Sequence, residues 1–123
     1  MRATIQSKLE EISNIESGKI IADDVVVEST TYFGYDLSQN YINSDLQKNY
    51  TYRVNITGYV VRLLDTTENT QQIVDNAVEN IKDKLKELNF KCSSRDINLN
   101  DRLVKVQITG YADYNEINNT FIE

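Results

Sequence analysis

The chain has 123 residues, with 19 acidic against 13 basic side chains and a formal charge of −6. That length makes one ordinary domain, and a hydrophobic content of 40% is too high for a disordered chain. The acidic balance argues against specific nucleic-acid binding, because gripping phosphates takes a basic patch.

The first element is predicted as a helix. Ile5, Leu9 and Ile12 recur at the spacing of one apolar helix face, and Gly18 is the natural stop. A β region follows, with β-branched Ile20, Ile21, Val25, Val26 and Val27. The chain then runs through Tyr32-Phe33-Gly34-Tyr35 into a polar stretch, 36–49, without a steady period. The expectation there is a long loop, which in a compact domain usually carries function.

From Tyr50 to Leu64 the pattern has period two. Tyr52, Val54 and Ile56 point one way, Arg53, Asn55 and Thr57 the other, and Gly58 predicts a bulge or a close backbone approach. A second helix follows. Asn69 is a good N-cap, and Gln72 completes a capping box. Ile73, Ala77, Val78, Ile81, Leu85 and Leu88 form its apolar stripe, and Asn89 is a left-handed cap followed by Phe90. Lys82, Lys84 and Lys86 alternate with Asp83 and Glu87, as on a solvated face.

A hairpin closes the pattern. Its first strand covers about Phe90 to Arg95, its turn lies within 97–102, and Val104, Val106 and Ile108 face the core. The tail, 115–123, is polar and reads as flexible. The order predicts an α+β fold over 1–123 as a single domain: one mixed or antiparallel β-sheet with two helices packed on one face. Ile56-Thr-Gly-Tyr59 and Ile108-Thr-Gly-Tyr111 echo each other, as two strands with matching kinks would.

Candidate chemistry is sparse. Histidine is absent, and Cys92 stands alone, with no partner for a disulfide and no base to activate it. Alternation puts Cys92 beside Phe90 as a small buried hydrophobe. Asp96-Ile-Asn98-Leu-Asn100 starts like a calcium loop, but Asp101 and Gln107 stand where glycine and glutamate are required, so an Asx-rich turn accounts for it better. Asp23 and Asp24 are adjacent and point apart on a strand, which makes a poor acid–base couple. The four glycines are isolated, so no phosphate loop is present. No enzyme activity, cofactor or metal is expected. No apolar run follows Met1 and Arg2, and no stretch reaches the length of a membrane span. The expected location is cytoplasmic, with no membrane partner.

Tyrosine is the informative excess, with eight residues. Tyr59 and Tyr111 stand just past the kinks among polar neighbours, as at protein interfaces. Arg53 and Arg62 on the same strand join them as candidate subunit contacts. Asp36, Tyr41, Ile42 and Leu46 are the candidate partner-binding positions of the long loop.

The short N-terminal helix, the β region with its long loop, the Tyr52-Arg-Val-Asn-Ile-Thr-Gly-Tyr59 strand, the capped helix and the closing hairpin resemble the phage tail terminator, or tail-completion, proteins. The resemblance covers most of residues 2–114 and rests on element order and strand character. It implies a structural virion protein assembled in the bacterial cytoplasm. Such a protein forms a six-membered ring that caps the tail tube, stops its polymerisation and offers the head-connector interface. It further implies the tail tube protein, a sheath or head-connector protein and other copies of the chain as partners. The competing reading is a small-ligand or protein-binding α+β module of non-viral origin.

Overall fold

The computed structural model describes residues 1–18, 26–41, 51–97 and 102–122. In chain order the elements are α1 (Arg2–Glu10), β1 (Glu16–Gly18), β2 (Tyr32–Tyr41), β3 (Thr51–Leu63), α2 (Thr70–Lys86), β4 (Lys91–Asp96), β5 (Leu103–Asn115) and β6 (Thr120–Ile122). The strands form one mixed sheet in the order β1-β2-β3-β5-β4, and β6 pairs with β5 beyond the end of β4. Only β1 and β2 run parallel; β2, β3, β5 and β4 alternate in direction. The chain is thus an α+β fold with a single sheet.

Both helices pack on one face of that sheet. Ile5 and Leu9 of α1 and Val74, Val78, Ile81 and Leu85 of α2 share a buried cluster with Phe33, Val54, Ile56, Val60 and Ile108. The period-two alternation of the strands sends one set of side chains into this cluster and the other to the opposite face. Lys8 reaches Glu87 at 3.8 Å and Lys84 reaches Glu11 at 3.3 Å, so ion pairs fasten the outer rims of the two helices.

Helix α2 starts as its sequence requires. The Asn69 side chain accepts a hydrogen bond from Gln72 N at 3.1 Å. The capping box is only half formed, because the Gln72 amide turns along the helix to Asn76 at 2.9 Å. At the far end Asn89 is left-handed, with φ 67, and Phe90 N donates back to Leu85 O at 3.1 Å.

Several expectations need correction. Helix α1 ends well before Gly18: Glu11 N and Ile12 N bond to Lys8 O and Leu9 O, and the chain then swings Ile12 and Ile15 into the core. Gly18 belongs instead to the short parallel strand β1. Residues 36–41 are not loop but the second half of β2, in register with β3 from Asp36↔Thr57 to Tyr41↔Tyr52. Cross-strand pairing, with Leu37 buried on the core face, overrides the weak strand preference of Asp, Ser and Asn. Positions 42–49 of the expected loop lie outside the described residues, as do Ile20, Ile21, Asp23, Asp24, Val25 and the Asn98–Asn100 part of the candidate calcium loop. The tail is not loose either. It turns through 116–119 and returns as β6, whose Phe121 packs against Phe90 and Tyr114.

Gly58 is a close approach without a bulge, since the β3–β5 register runs unbroken from Thr51 to Leu63. A Cβ there would stand 2.6 Å from the Phe33 ring and 2.7 Å from Gly34 O. Gly110 plays the same part for Cys92, whose Sγ would be 2.7 Å from an added Cβ. The echoed Ile-Thr-Gly-Tyr segments therefore each leave room for a neighbouring side chain on the helix side.

Candidate interaction surface

The sheet face away from the helices collects the alternate residues of β3, β5 and β4. Register fixes the neighbours: Arg53 stands opposite Asp113, Asn55 opposite Tyr111 and Tyr59 opposite Gln107, while β4 sets Lys91 opposite Tyr111 and Arg95 opposite Gln107.

Two tyrosines organise this surface. Arg53 donates from Nε to Asp113 Oδ1 at 3.0 Å and lies 4.5 Å from the centre of the Tyr111 ring. Lys91 Nζ approaches the same ring at 5.9 Å. Tyr59 is held likewise: Lys105 Nζ is 4.7 Å from its ring centre, and Gln107 donates to its hydroxyl at 3.2 Å. Arg95 donates to Gln107 at 2.9 Å, and Ser93 and Thr109 share a hydrogen bond of 3.2 Å. Contacts between cations and ring faces restrict both partners. The aromatic surface is therefore held in place before any partner arrives.

Charge is unevenly spread across this face. Among the described residues of β3, β5 and β4, this face carries the four cations Arg53, Lys91, Arg95 and Lys105 and one carboxylate, Asp113. Across the sheet the β1–β2 side carries Glu16 and Asp36, which share the face of Tyr32 and Thr57. Asp113 favours the charged form of Arg53, raising an already high pKa through their hydrogen bond. A shallow depression of about 440 Å³ lies between Asn55, Thr57, Lys91, Ser93, Thr109 and Tyr111. At one end of the face Val26, Val61 and Leu103 form a small second cluster flanked by Tyr32, Tyr59 and Leu63.

The expected site residues divide. Tyr59, Tyr111 and Arg53 come together on this face, and Tyr111 is 37% exposed. Arg62 does not join them. Its even-numbered position turns it to the helix side, where it is 9% exposed. There it grips Glu68 through Nε at 2.9 Å and Nη2 at 3.1 Å, and Thr31 through Nη1 at 2.9 Å. Its role is to fasten the β3–α2 connection to the start of β2. Hydrogen bonding by Arg62 lowers the Glu68 pKa, and hydrogen bonds from Thr67 lower that of Asp65. Asp36 is exposed on β2, its Oδ1 accepting from Leu37 N at 2.9 Å, and Tyr41 closes that strand. Ile42 and Leu46 lie outside the described residues.

The sequence reading missed Lys91, Lys105, Gln107 and Asp113. The alternation of β5 already put Lys105 and Gln107 on the outer side. The missing signal was long-range: that β5 pairs with β3 over the whole strand. Cys92 is half-buried towards the helices, and burial pushes its thiol pKa up, away from the nucleophilic thiolate. Among the described residues, no three His, Cys, Asp or Glu side chains gather as a metal site, and no helix is long and apolar enough to cross a membrane.

No protein-family model matches the chain, and neither does the sequence of any curated protein.

Proposed function

We propose that the chain is a structural assembly subunit: a tail terminator that forms a six-membered ring on the tail tube of a phage or phage-tail-like particle. The ring stops tube polymerisation and presents a surface to the head connector, and no catalysis is required of it. Its partners are further copies of itself, the tail tube protein and a sheath or head-connector protein.

The observation that supports this reading most is the sheet face away from the helices, which no described element covers and where Tyr59 and Tyr111 are fixed by Lys105, Arg53 and Lys91. Tyrosine and arginine are the residues that anchor protein interfaces, and a rigid aromatic surface loses little entropy on association. The resemblance in element order to tail-completion proteins points the same way.

Native mass across a concentration series tests the proposal, followed by mixing with purified tail tubes and imaging of the tube ends. A hexamer, or a monomer that caps tube ends, supports the reading. A monomer at every concentration that ignores tubes overturns it and favours a small-ligand binding module.

A further inference from the structure

Charge is divided between the two outer sides of the molecule. On the sheet face away from the helices, β3, β5 and β4 hold four of the 13 basic side chains, Arg53, Lys91, Arg95 and Lys105. They hold one of the 19 acidic ones, Asp113. Arg53, Lys91, Arg95 and Tyr111 are all exposed there. Arg53 is bonded to Asp113 at 3.0 Å. Lys91 and Arg95 meet no carboxylate among the described residues: Lys91 lies by the Tyr111 ring, and Arg95 donates to Gln107.

The outer side of α2 carries the opposite pattern. Asp75, Glu79, Asp83 and Glu87 follow one another at four-residue spacing, and all four are exposed. Like charges at that spacing repel along a helix. Glu79 and Glu87 are each partly neutralised by a lysine, Lys82 at 3.7 Å and Lys84 at 3.6 Å. Asp75 and Asp83 meet no cation among the described residues; Asp75 accepts from the Gln71 amide at 2.9 Å.

These unpaired charges agree in spacing. Lys91 and Arg95 stand four residues apart on β4, about 13 Å. Asp75 and Asp83 stand eight residues apart on α2, about 12 Å along its axis. Both helices pack on one side of the sheet, so the cationic face and the acidic row lie on opposite sides of one subunit. Two subunits bring them together when the sheet face of one lies on the helix layer of the next. Such a contact joins two different patches, so it closes a ring or runs on as a filament. Two β3–β5–β4 faces laid on each other would instead set cations against cations. A nucleic acid fits this face less well. Cations already stand over the Tyr59 and Tyr111 rings, where bases would stack, and the chain's charge of −6 repels a polyanion at long range.

We infer that a second copy of this chain docks the outer side of its α2 on the tyrosine face of the first, with Asp75 and Asp83 of one copy against Lys91 and Arg95 of the other. The inference rests on the assembly reading above and names the two surfaces that meet.

Charge reversal tests it, because all four side chains are exposed. One variant carries Lys91→Glu and Arg95→Glu, a second Asp75→Lys and Asp83→Lys, and a third all four. Native mass across a concentration series is recorded for each, alone and with tail tubes, with melting by circular dichroism as the check on folding. The first and second variants should each assemble at least tenfold more weakly than the unaltered chain. Their equimolar mixture and the fourfold variant should both recover assembly, since each again sets carboxylates against cations. Assembly of the unaltered chain should also weaken as salt is raised, a measurement that needs no variant. Assembly indifferent to salt and to the reversals, or lost in them and not recovered by the fourfold variant, overturns this contact and leaves the assembly reading standing. Binding of a labelled oligothymidylate that the Lys91→Glu, Arg95→Glu variant loses assigns the face to nucleic acid and overturns the contact too. Absence of any assembly by the unaltered chain, alone or on tubes, overturns both.

Discussion

The Arg53 guanidinium lies 4.5 Å from the centre of the Tyr111 ring, and the same side chain is bonded to Asp113 two residues further along β5. The pair makes Tyr111 a fixed feature of the surface and gives it a consequence that can be measured. Truncating Tyr111 to Ala should leave secondary structure and melting temperature almost unchanged, because the ring contributes little to the buried core. Self-association should weaken by about 2 kcal/mol, roughly 30-fold in Kd, as for an interface anchor. Sedimentation or native mass against concentration, with circular dichroism as the control, reads both quantities.

Gly58 makes the opposite prediction, for the fold rather than the surface. An added methyl would press on the Phe33 ring and the Gly34 carbonyl, so Gly58→Ala should cost about 1–3 kcal/mol of stability. Gly18→Ala, with no described residue within 4 Å of the added carbon, serves as its control and should be near neutral. Denaturant midpoints of the two variants compare them directly.

Acid should loosen the β3–α2 connection. Glu68 has a folded pKa below its unfolded value because Arg62 hydrogen-bonds its carboxylate. Its stabilising effect is therefore complete above the unfolded glutamate value of about 4.3 and is lost as pH falls through the lower folded value. Asp65, lowered by Thr67, acts in the same direction. Glu68→Gln should flatten the fall in stability below about pH 4, measured as melting temperature against pH.

The C-terminal hairpin should behave as part of the core. Phe121 meets Phe90 at 5.3 Å and Tyr114 at 5.0 Å between ring centres. Phe121→Ala should cost about 2 kcal/mol, less than a fully buried phenylalanine because this ring is only partly enclosed. A melting curve indistinguishable from that of the unaltered protein would remove β6 from the folded core.

What could be read from the sequence was local. The stripe of α2, its Asn69 cap and its left-handed Asn89 all act over a few residues, so their signals sit side by side in the chain. The alternation of Val54, Ile56, Val104, Val106 and Ile108 likewise gave the inward face of β3 and β5. Asp36 to Asn40 could not be read this way. Their strand character comes from β3, a partner that single-residue preferences do not register. Arg62 was misplaced for a related reason: its parity with Val60 assigns it to the helix side, but an arginine suggests solvent until Glu68 and Thr31 are known to be there. Phe121 was hidden by the polar residues around it, although a lone aromatic in a polar tail is itself a sign of docking.

The pairing of β3 with β5 also governs how the chain reaches its native state. Thr51 pairs with Asn115 and Leu63 with Leu103, so the longest ladder in the sheet joins segments separated by the whole of α2 and β4. Ladders of such high contact order form slowly, whereas the β2–β3 hairpin and α2 can form from neighbouring residues. During synthesis β3 must wait with one long edge vacant until β5 has left the ribosome. A neighbouring chain that offered its own β5 in that interval would produce a swapped pair, the failure to which a long ladder completed late is open.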